Sequence, residues 1–193
     1  MSDAKAGYLR TPELLSRQES RLLIVDVQEK LVPKIFGLER MLANCQMLLQ
    51  GAKILGVPAF ATEQYPKGLG PTVPQLAQLL DSPLPKLRFS CAEVLAWSMA
   101  AEQADDRFQI VVAGIEAHVC VLQTVLDLLG SGFQVFVAAD AVSSRQEFDC
   151  KIALDRMANG GATIVTTESV LFEWCEASGT PEFKQISQLI KDR

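Results

Sequence analysis

The sequence predicts a three-layer α/β/α domain around a mostly parallel, Rossmann-like sheet of six strands. Short apolar runs alternate along the chain with amphipathic segments. The runs are too continuous for a half-exposed sheet, and strands buried on both faces are typical of parallel sheets covered by helices. With 193 residues, 49% of them hydrophobic, the chain can bury a substantial core. We therefore expect a single domain over residues 1–193.

The predicted strands are the apolar runs themselves. The first, RLLIVDV at residues 21–27, is short and contains a carboxylate near its end. A brief extended piece, PKLRF at residues 85–89, is the least regular of the six. The remaining strands are VPAFAT (57–62), FQIVVAGI (108–115), FQVFVAAD (133–140) and ATIVTT (162–167).

The predicted helices lie between these runs. Residues 38–56 have apolar side chains at helical spacing before a glycine stop. Two later helices begin with the spacing of a capping box, Ser90 with Glu93 and Ser144 with Glu147. The full set after the first is 72–81, 90–105, 119–132, 144–161, 168–177 and 181–191.

Charge and composition exclude several classes of function. The formal net charge is −5, from 18 basic and 23 acidic residues, so the chain does not attract phosphate backbones and no nucleic-acid partner is expected. No apolar window approaches the roughly 20 residues of a membrane span, and the N-terminal segment lacks a signal core. We expect a cytoplasmic protein without a membrane partner. Its five scattered cysteines favour reduced thiols over disulfides or a zinc cage.

Three residues with reactive side chains lie near the ends of predicted strands. Asp26 follows LLIV, Lys86 lies in KLRF, and Cys120 follows IVVAGIEAH. Ligands of open α/β sheets bind outside the carboxyl ends of the strands, so these side chains are able to converge. Each also has a plain structural interpretation: an Asp as a cap, a Lys as a solvated charge, and a Cys as a small hydrophobic residue.

The motifs LLIVDVQ, KLRFS and GIEAHVCV, in that order, resemble the isochorismatase-like hydrolases, also called the cysteine hydrolase superfamily. The resemblance covers roughly residues 20–170, and ATEQYPKGLGPTVPQL (61–76) is similar to the isochorismatase domain-containing subgroup. It implies that Asp26, Lys86 and Cys120 are the catalytic set. Cys120 would be the nucleophile, Asp26 the proton acceptor and donor, and Lys86 the cation that stabilises the thiolate.

The chemistry of this set is coherent. The nucleophile is a thiolate, whereas a free thiol with a pKa of about 8.5 is mostly protonated at neutral pH. The N-terminus of the helix at 119–132 and the Lys86 ammonium are both expected to lower the pKa of Cys120. A complete set indicates hydrolysis of a C–N bond in a small amide or ureido compound, through a thioester on Cys120. Isochorismatases that cleave a vinyl ether need an acid and form no acyl-enzyme.

The scarcity of histidine argues against a metal. His118 is the only histidine, and its position two residues before Cys120 favours a structural hydrogen bond or an interface contact over catalysis. The nicotinamidases of the superfamily bind a metal through an Asp and two His in the loop after the second strand. Here that loop contains Glu63 as its only carboxylate and no imidazole, so we expect no metal and no cofactor.

Oxyanion and substrate contacts are expected around the same edge. The backbone N–H groups at the start of the 119–132 helix, including that of Cys120, are candidate oxyanion donors. The resemblance further implies a cis peptide bond between Ile115 and Glu116. The expected pocket side chains are mostly apolar with a few amide and acid groups, which suits a small neutral substrate: Gln28, Leu31, Tyr65, Phe89 and Glu116.

The other cysteines and the alternatives for function complete the expectations. Cys45 and Cys150 lie in amphipathic helices and are expected to be packing residues, whereas Cys91, at a predicted helix start, has a further interpretation as a functional thiol. Asp140 and Ser144 are expected to be loop and cap groups. The alternatives to a cysteine hydrolase are a non-catalytic binding member of the fold and, as for some relatives, a ribonuclease. Family resemblance also implies a homo-oligomer.

Overall fold

The six strands form one parallel sheet in the order β3-β2-β1-β4-β5-β6. The computed structural model describes residues 10–191, and each pair of neighbouring strands runs parallel. This confirms the predicted fold class. The strands are β1 Ser20–Val25, β2 Ala59–Gln64, β3 Leu84–Lys86, β4 Gln109–Ile115, β5 Gln134–Ser143 and β6 Thr163–Val165.

Helices cover both faces of the sheet. One apolar cluster joins the sheet to α1, α3, α7 and α8, and a second joins its other face to α4, α5 and α6. Every residue of β1 and of β4 is buried, as expected for central strands between two helical layers. The helices are α1 Leu38–Leu55, α2 Pro66–Leu69, α3 Pro74–Ala77, α4 Ala92–Leu95, α5 Leu122–Gly130, α6 Glu147–Asn159, α7 Thr167–Cys175 and α8 Pro181–Lys191.

The predicted long helix at 90–105 is wrong. The structure has only the short α4 and a 3-10 turn at Ala100–Glu102, because Ala96 adopts a left-handed conformation with φ of 49°. The predicted capping box does not form either: Glu93 instead pairs with the exposed Arg88 at 2.9 Å. Trp97 lies in irregular chain and packs edge-on against Phe60, with ring centroids 5.2 Å apart.

Three further predictions need correction. The helix predicted at 72–81 is reduced to α3, and the helix predicted at 119–132 begins as a π-helical turn, Ala117–Val121, before α5. Ser144 does not cap α6, which begins three residues later with Gln146 as N-cap and without a side-chain cap. β5 extends to Ser143, which carries Ser144 toward the end of β4 instead.

Gly114 allows β4 to approach β1 closely near the end of both strands. Its φ is +114°, and a Cβ added there would lie 2.2 Å from the carbonyl oxygen of Val25. Any L-residue with a side chain would push the backbones apart. The glycine thereby sets the separation of the two strands whose ends carry Asp26 and the turn of Cys120.

Because the thiol of Cys45 is buried, we expect the protein to lose stability at alkaline pH. Burial, with a further contribution from the charge of Asp140, raises the pKa of Cys45 to about 12 from its ordinary 9.0. Above pH 9 the unfolded chain loses a proton that the native chain keeps, so this contribution to stability is complete below pH 9 and is lost as pH rises. Between pH 9 and 10.5 the free energy of unfolding, measured in urea, should fall less steeply in Cys45→Ala than in the natural sequence. The two slopes should differ by about 1.4 kcal/mol per pH unit. Equal slopes would contradict the assignment.

Candidate active site

The predicted carboxylate and ammonium form a buried ion pair. Asp26 directly follows β1 and is 0% exposed, and Lys86, the last residue of β3, is 4% exposed. Nζ of Lys86 donates to Oδ2 of Asp26 at 2.6 Å. A buried ion pair of this kind is costly to desolvate and is strongly destabilised when one partner is removed, so its presence between two strand ends is a functional indication.

Additional acceptors fix the orientation of the Lys86 ammonium. Nζ also donates to Oε1 of Gln64 at 2.8 Å and to the carbonyl oxygen of Phe89 at 2.8 Å, with a longer contact of 3.3 Å to the carbonyl of Arg88. The three protons of the ammonium are therefore all engaged. Lys86 acts here as a fixed charge, and Phe89 contributes its backbone oxygen to the site.

Cys120 lies in the π-helical turn between β4 and α5, close enough to Asp26 and Lys86 for both charges to act on its thiol. Burial raises the pKa of Cys120, and the charge of Asp26 raises it further, while Lys86 opposes both. The expected lowering of the pKa of Cys120 is therefore wrong for the resting site. The main reason is the burial of the thiol, and Lys86, which is already paired with Asp26, does not offset it.

The turn that carries Cys120 is anchored at Glu116. The Ile115–Glu116 peptide bond is cis, at the position that the family resemblance implies. The N–H groups of Val119 and Val121 both donate to the carbonyl of Glu116, at 3.0 and 3.2 Å. The Glu116 carboxylate accepts from the backbone N–H and from Nε of Arg145, at 3.1 and 3.0 Å, so this side chain ties the end of β5 to the turn.

His118 forms a structural hydrogen bond, one of the two roles expected from its position. Its Nδ1 lies 2.9 Å from Oγ of Ser144, and its Nε2 lies 4.0 Å from Oδ2 of Asp149. The imidazole thus joins the turn to the segment before α6. Ser144, expected as a helix cap, is the partner of this histidine instead.

The residues predicted to line a pocket differ in how exposed they are. Tyr65 and the side chain of Phe89 are each 51% exposed, and the Ile115 side chain is fully buried in the core. Tyr65 and Lys86 border one groove together with Leu87 and Val94. Leu31 is partly buried against the core. The structure therefore leaves Tyr65 and Phe89 available to a ligand, whereas Ile115, named above for its cis peptide bond, has no exposed side chain.

Gln28 is a brace within the fold, which corrects its prediction as a pocket residue. It is 0% exposed, its amide donates to the carbonyls of Gln64 at 3.0 Å and Gly70 at 2.7 Å, and its oxygen accepts from the Gln64 N–H at 2.8 Å. The amide holds the end of β2 and the segment after α2 next to Asp26.

Replacement of Gln28 by Leu should reduce stability without rebuilding the site. Because three backbone groups lose their partners, we expect a loss of about 3 kcal/mol in the free energy of unfolding, measured by urea denaturation. Gln78→Leu, at an exposed position, is the matched control and should change stability by less than about 0.5 kcal/mol. A Gln28→Leu protein of unchanged stability would contradict the bracing role.

Three polar residues around the site were missed by the sequence analysis: Thr62, Gln64 and Thr124. Thr62 Oγ1 donates to Oδ1 of Asp26 at 2.8 Å and lies 3.2 Å from Sγ of Cys91. Thr62 and Gln64 are two residues apart at the end of a strand, and therefore share one face of the sheet. That spacing of polar residues after an apolar run was the available signal; Thr124, within a helix, offered none.

The loop expected to lack a metal site uses its carboxylate structurally. Oε1 of Glu63 accepts from the backbone N–H of Thr72 at 2.6 Å and from its hydroxyl at 2.8 Å. Within residues 10–191 no three His, Cys, Asp or Glu side chains form a group that could hold a metal ion. In the same range no helix is long and apolar enough to cross a membrane.

Parallel strands place a buried carboxylate, ammonium and thiol at one edge of the sheet, the arrangement that the resemblance to isochorismatase-like hydrolases implied. The model of the isochorismatase domain matches residues 20–169, and the chain belongs to this family. It is 42% identical over 176 residues to isochorismatase domain-containing protein 2 of Danio rerio, covering 91% of this chain and 89% of that protein.

Solved structures agree with this assignment. The structure of the MAR1 ribonuclease from Caenorhabditis elegans superposes with a TM-score of 0.83 at 36% identity, covering 92% of each chain. The YcaC gene product of Escherichia coli, described as an octameric hydrolase of unknown specificity, superposes with a TM-score of 0.81 at 26% identity, covering 95% of this chain and 94% of that one. The chain is thus an isochorismatase-family hydrolase by relationship.

Proposed function

We propose that the protein is a metal-independent cysteine hydrolase that cleaves a C–N bond in a small amide or ureido compound. The single observation that supports this best is the buried ion pair of Lys86 and Asp26, whose two charges both act on the thiol of Cys120. A nucleophile next to an oriented base is the arrangement that covalent catalysis requires. Because a buried ion pair is costly to desolvate, its position beside a thiol favours catalysis over binding alone.

In the first half of the reaction the Cys120 proton passes to Asp26, and Lys86, released from full pairing when Asp26 becomes neutral, stabilises the thiolate. The thiolate sulfur then attacks the substrate carbonyl carbon. The tetrahedral intermediate collapses with cleavage of the C–N bond, and Asp26 returns the proton to the leaving nitrogen. The products of this half are a free amine and a thioester on Cys120.

In the second half a water molecule hydrolyses the thioester. Asp26 takes a proton from the water as its oxygen attacks the thioester carbonyl, and the C–S bond breaks to release a carboxylic acid. The proton then returns to Cys120. Backbone N–H groups at the first turn, including that of Cys120, are the proposed oxyanion donors, since those of Val119 and Val121 are already bonded to Glu116.

Acylation of Cys120 is the direct test. The protein would be mixed with 4-nitrophenyl acetate and with a panel of small amides and ureido compounds, and the modified peptide identified by mass. We expect an acetyl group on Cys120, a burst of 4-nitrophenol and turnover of at least one panel member. Cys120→Ser should lack all three, whereas Cys150→Ala controls for another thiol. A protein that binds panel members but is never acylated is a binding member of the fold.

A ribonuclease is the second candidate, because the chain is 36% identical to the C. elegans protein described as MAR1 ribonuclease. The net charge of −5 opposes this assignment, since RNA binding favours basic surfaces. RNA cleavage that persists equally in Cys120→Ala comes from a contaminating nuclease or a different site. Cleavage that disappears in this variant would indicate that the substrate of the Cys120 site is RNA instead of an amide.

We also propose that the chain assembles with copies of itself, as the octameric YcaC protein does. Large apolar side chains are exposed around a groove next to the edge strand β6, with Phe148 72%, Phe36 44% and Ile164 38% exposed. Phe148→Glu should reduce the molar mass measured by light scattering after gel filtration, while Phe172→Glu, on α7 and outside the groove, should not. A monomeric natural protein would refute the proposal.

A further inference from the structure

Two threonines and a second cysteine link the candidate base to the candidate nucleophile. Thr62 donates its hydroxyl proton to Oδ1 of Asp26 at 2.8 Å, on the opposite oxygen from the one that Lys86 contacts. The Asp26 carboxylate is therefore held through both oxygens. A carboxylate held in this way cannot rotate about its terminal bond without losing a charge-assisted hydrogen bond.

Proton counting assigns a direction to the next contact. Sγ of Cys91 lies 3.2 Å from Oγ1 of Thr62, and a hydroxyl has a single proton to donate. Because Thr62 donates that proton to Asp26, the Cys91 thiol must donate to Thr62. Burial raises the pKa of Cys91 and the charge of Asp26 raises it further, so Cys91 retains the proton that this contact needs.

Thr124 closes the path back to the nucleophile. Its Oγ1 accepts from the backbone N–H of Cys91 at 2.9 Å and donates to the carbonyl oxygen of Cys120 at 2.7 Å. Thr62 and Thr124 are 1% and 0% exposed, and Cys91 is 0% exposed. Hydrogen bonds in such a dry environment are strong and are costly to leave unmade.

We propose that Thr62, Cys91 and Thr124 are positioning residues, which hold the base against the thiol. Four hydrogen bonds link Asp26 through them to the backbone of Cys120, whose thiol is close enough to feel the Asp26 charge, and we call this set of residues the ring. The ring explains why a second buried cysteine lies beside the candidate nucleophile: Cys91 is a proton donor to Thr62 and not a second nucleophile. This inference rests on the proposed function, because only that function makes Asp26 a catalytic base. The ring itself is defined by the four contacts of its members.

The test is the rate of alkylation of Cys120 by iodoacetamide at pH 8, read by peptide mass mapping. In Thr62→Val the carboxylate loses a donor and its charge acts more strongly on Cys120, so the thiol should hold its proton more tightly and alkylation should slow about tenfold, the effect of about one pKa unit. Thr62→Ser restores the donor and should react within about twofold of the natural rate. Thr167→Val is the matched control, because Thr167 is also buried and also donates to an aspartate, Asp140, at 2.9 Å.

A second variant covers the case in which Thr62→Val does not fold. Cys91→Ala removes only the thiol that donates to Thr62 and should slow Cys120 alkylation about threefold, with recovery in Cys91→Ser. The ring is refuted if Thr62→Val reacts at the natural rate, if Thr167→Val slows equally, or if Cys91→Ala has no effect.

The same set of proteins separates this inference from the proposed function. Each variant would also be mixed with 4-nitrophenyl acetate to measure the burst of 4-nitrophenol. Absence of any burst in the natural protein refutes the hydrolase proposal while the alkylation rates still test the ring. A normal burst in the natural protein that is unchanged in a folded Thr62→Val or Cys91→Ala variant refutes the ring alone.

Discussion

Replacement of Asp26 by Asn should abolish hydrolysis and at the same time make Cys120 react faster with iodoacetamide. Burial raises the pKa of Cys120 and the charge of Asp26 raises it further, whereas Lys86 lowers it. Without the carboxylate, Lys86 is free to stabilise the thiolate, so we expect alkylation at pH 8 to accelerate about tenfold. Hydrolysis should fall about a thousandfold, because the leaving nitrogen then has no proton donor.

Asparagine is a suitable replacement because position 26 has a φ of 51°, a left-handed conformation that Asn tolerates. Asp140→Asn is the matched control, since Asp140 also accepts hydrogen bonds near a strand end. It should leave both rates within about twofold. An Asp26→Asn protein that still hydrolyses the substrate, or whose Cys120 is slower to alkylate, would contradict the role assigned to the carboxylate.

Replacement of Lys86 by Met should have the opposite effect on the thiol and a large effect on stability. Loss of the ammonium removes the one charge that lowers the pKa of Cys120, so alkylation should slow. It also leaves Asp26 as an uncompensated buried charge, which typically costs about 3–5 kcal/mol in the free energy of unfolding. Urea denaturation and iodoacetamide labelling of the same preparation measure both effects.

The double variant Asp26→Asn, Lys86→Met tests whether this cost comes from the broken pair. With both charges removed, stability should recover by about 1–3 kcal/mol relative to Lys86→Met alone. Lys53→Met, at an exposed position of α1, should change neither stability nor labelling. If the double variant is as unstable as the sum of the two single variants, Asp26 and Lys86 do not stabilise each other as the 2.6 Å contact indicates.

The prediction of secondary structure succeeded where burial on both faces leaves a continuous apolar run. This is why β1, β4 and β5 were located correctly, although β5 is longer than predicted. It failed at 90–105, where the capping-box spacing of Ser90 and Glu93 predicted the start of a long helix. There Trp97 packs against Phe60 from irregular chain, so tertiary packing buries it without a helix.

The convergence of Asp26, Lys86 and Cys120 was predictable because the carboxyl ends of parallel strands meet at one edge of the sheet. The partners of these residues were not. Thr62 and Thr124 join the site through side-chain hydrogen bonds to elements distant in the chain. Gln28, which was expected to line a pocket, instead forms hydrogen bonds with backbone groups. Such contacts depend on the separation of packed elements, which no local pattern encodes.

The sequence by itself determined the parallel sheet and the edge at which a carboxylate, an ammonium and a thiol gather, because strand burial and strand direction are both readable from the order of apolar runs. Only the tertiary structure decided the protonation of Cys120. A pKa depends on distances of a few ångströms and on burial. Burial and the charge of Asp26 raise the pKa of Cys120, and Lys86, held 2.6 Å from Asp26, does not offset them.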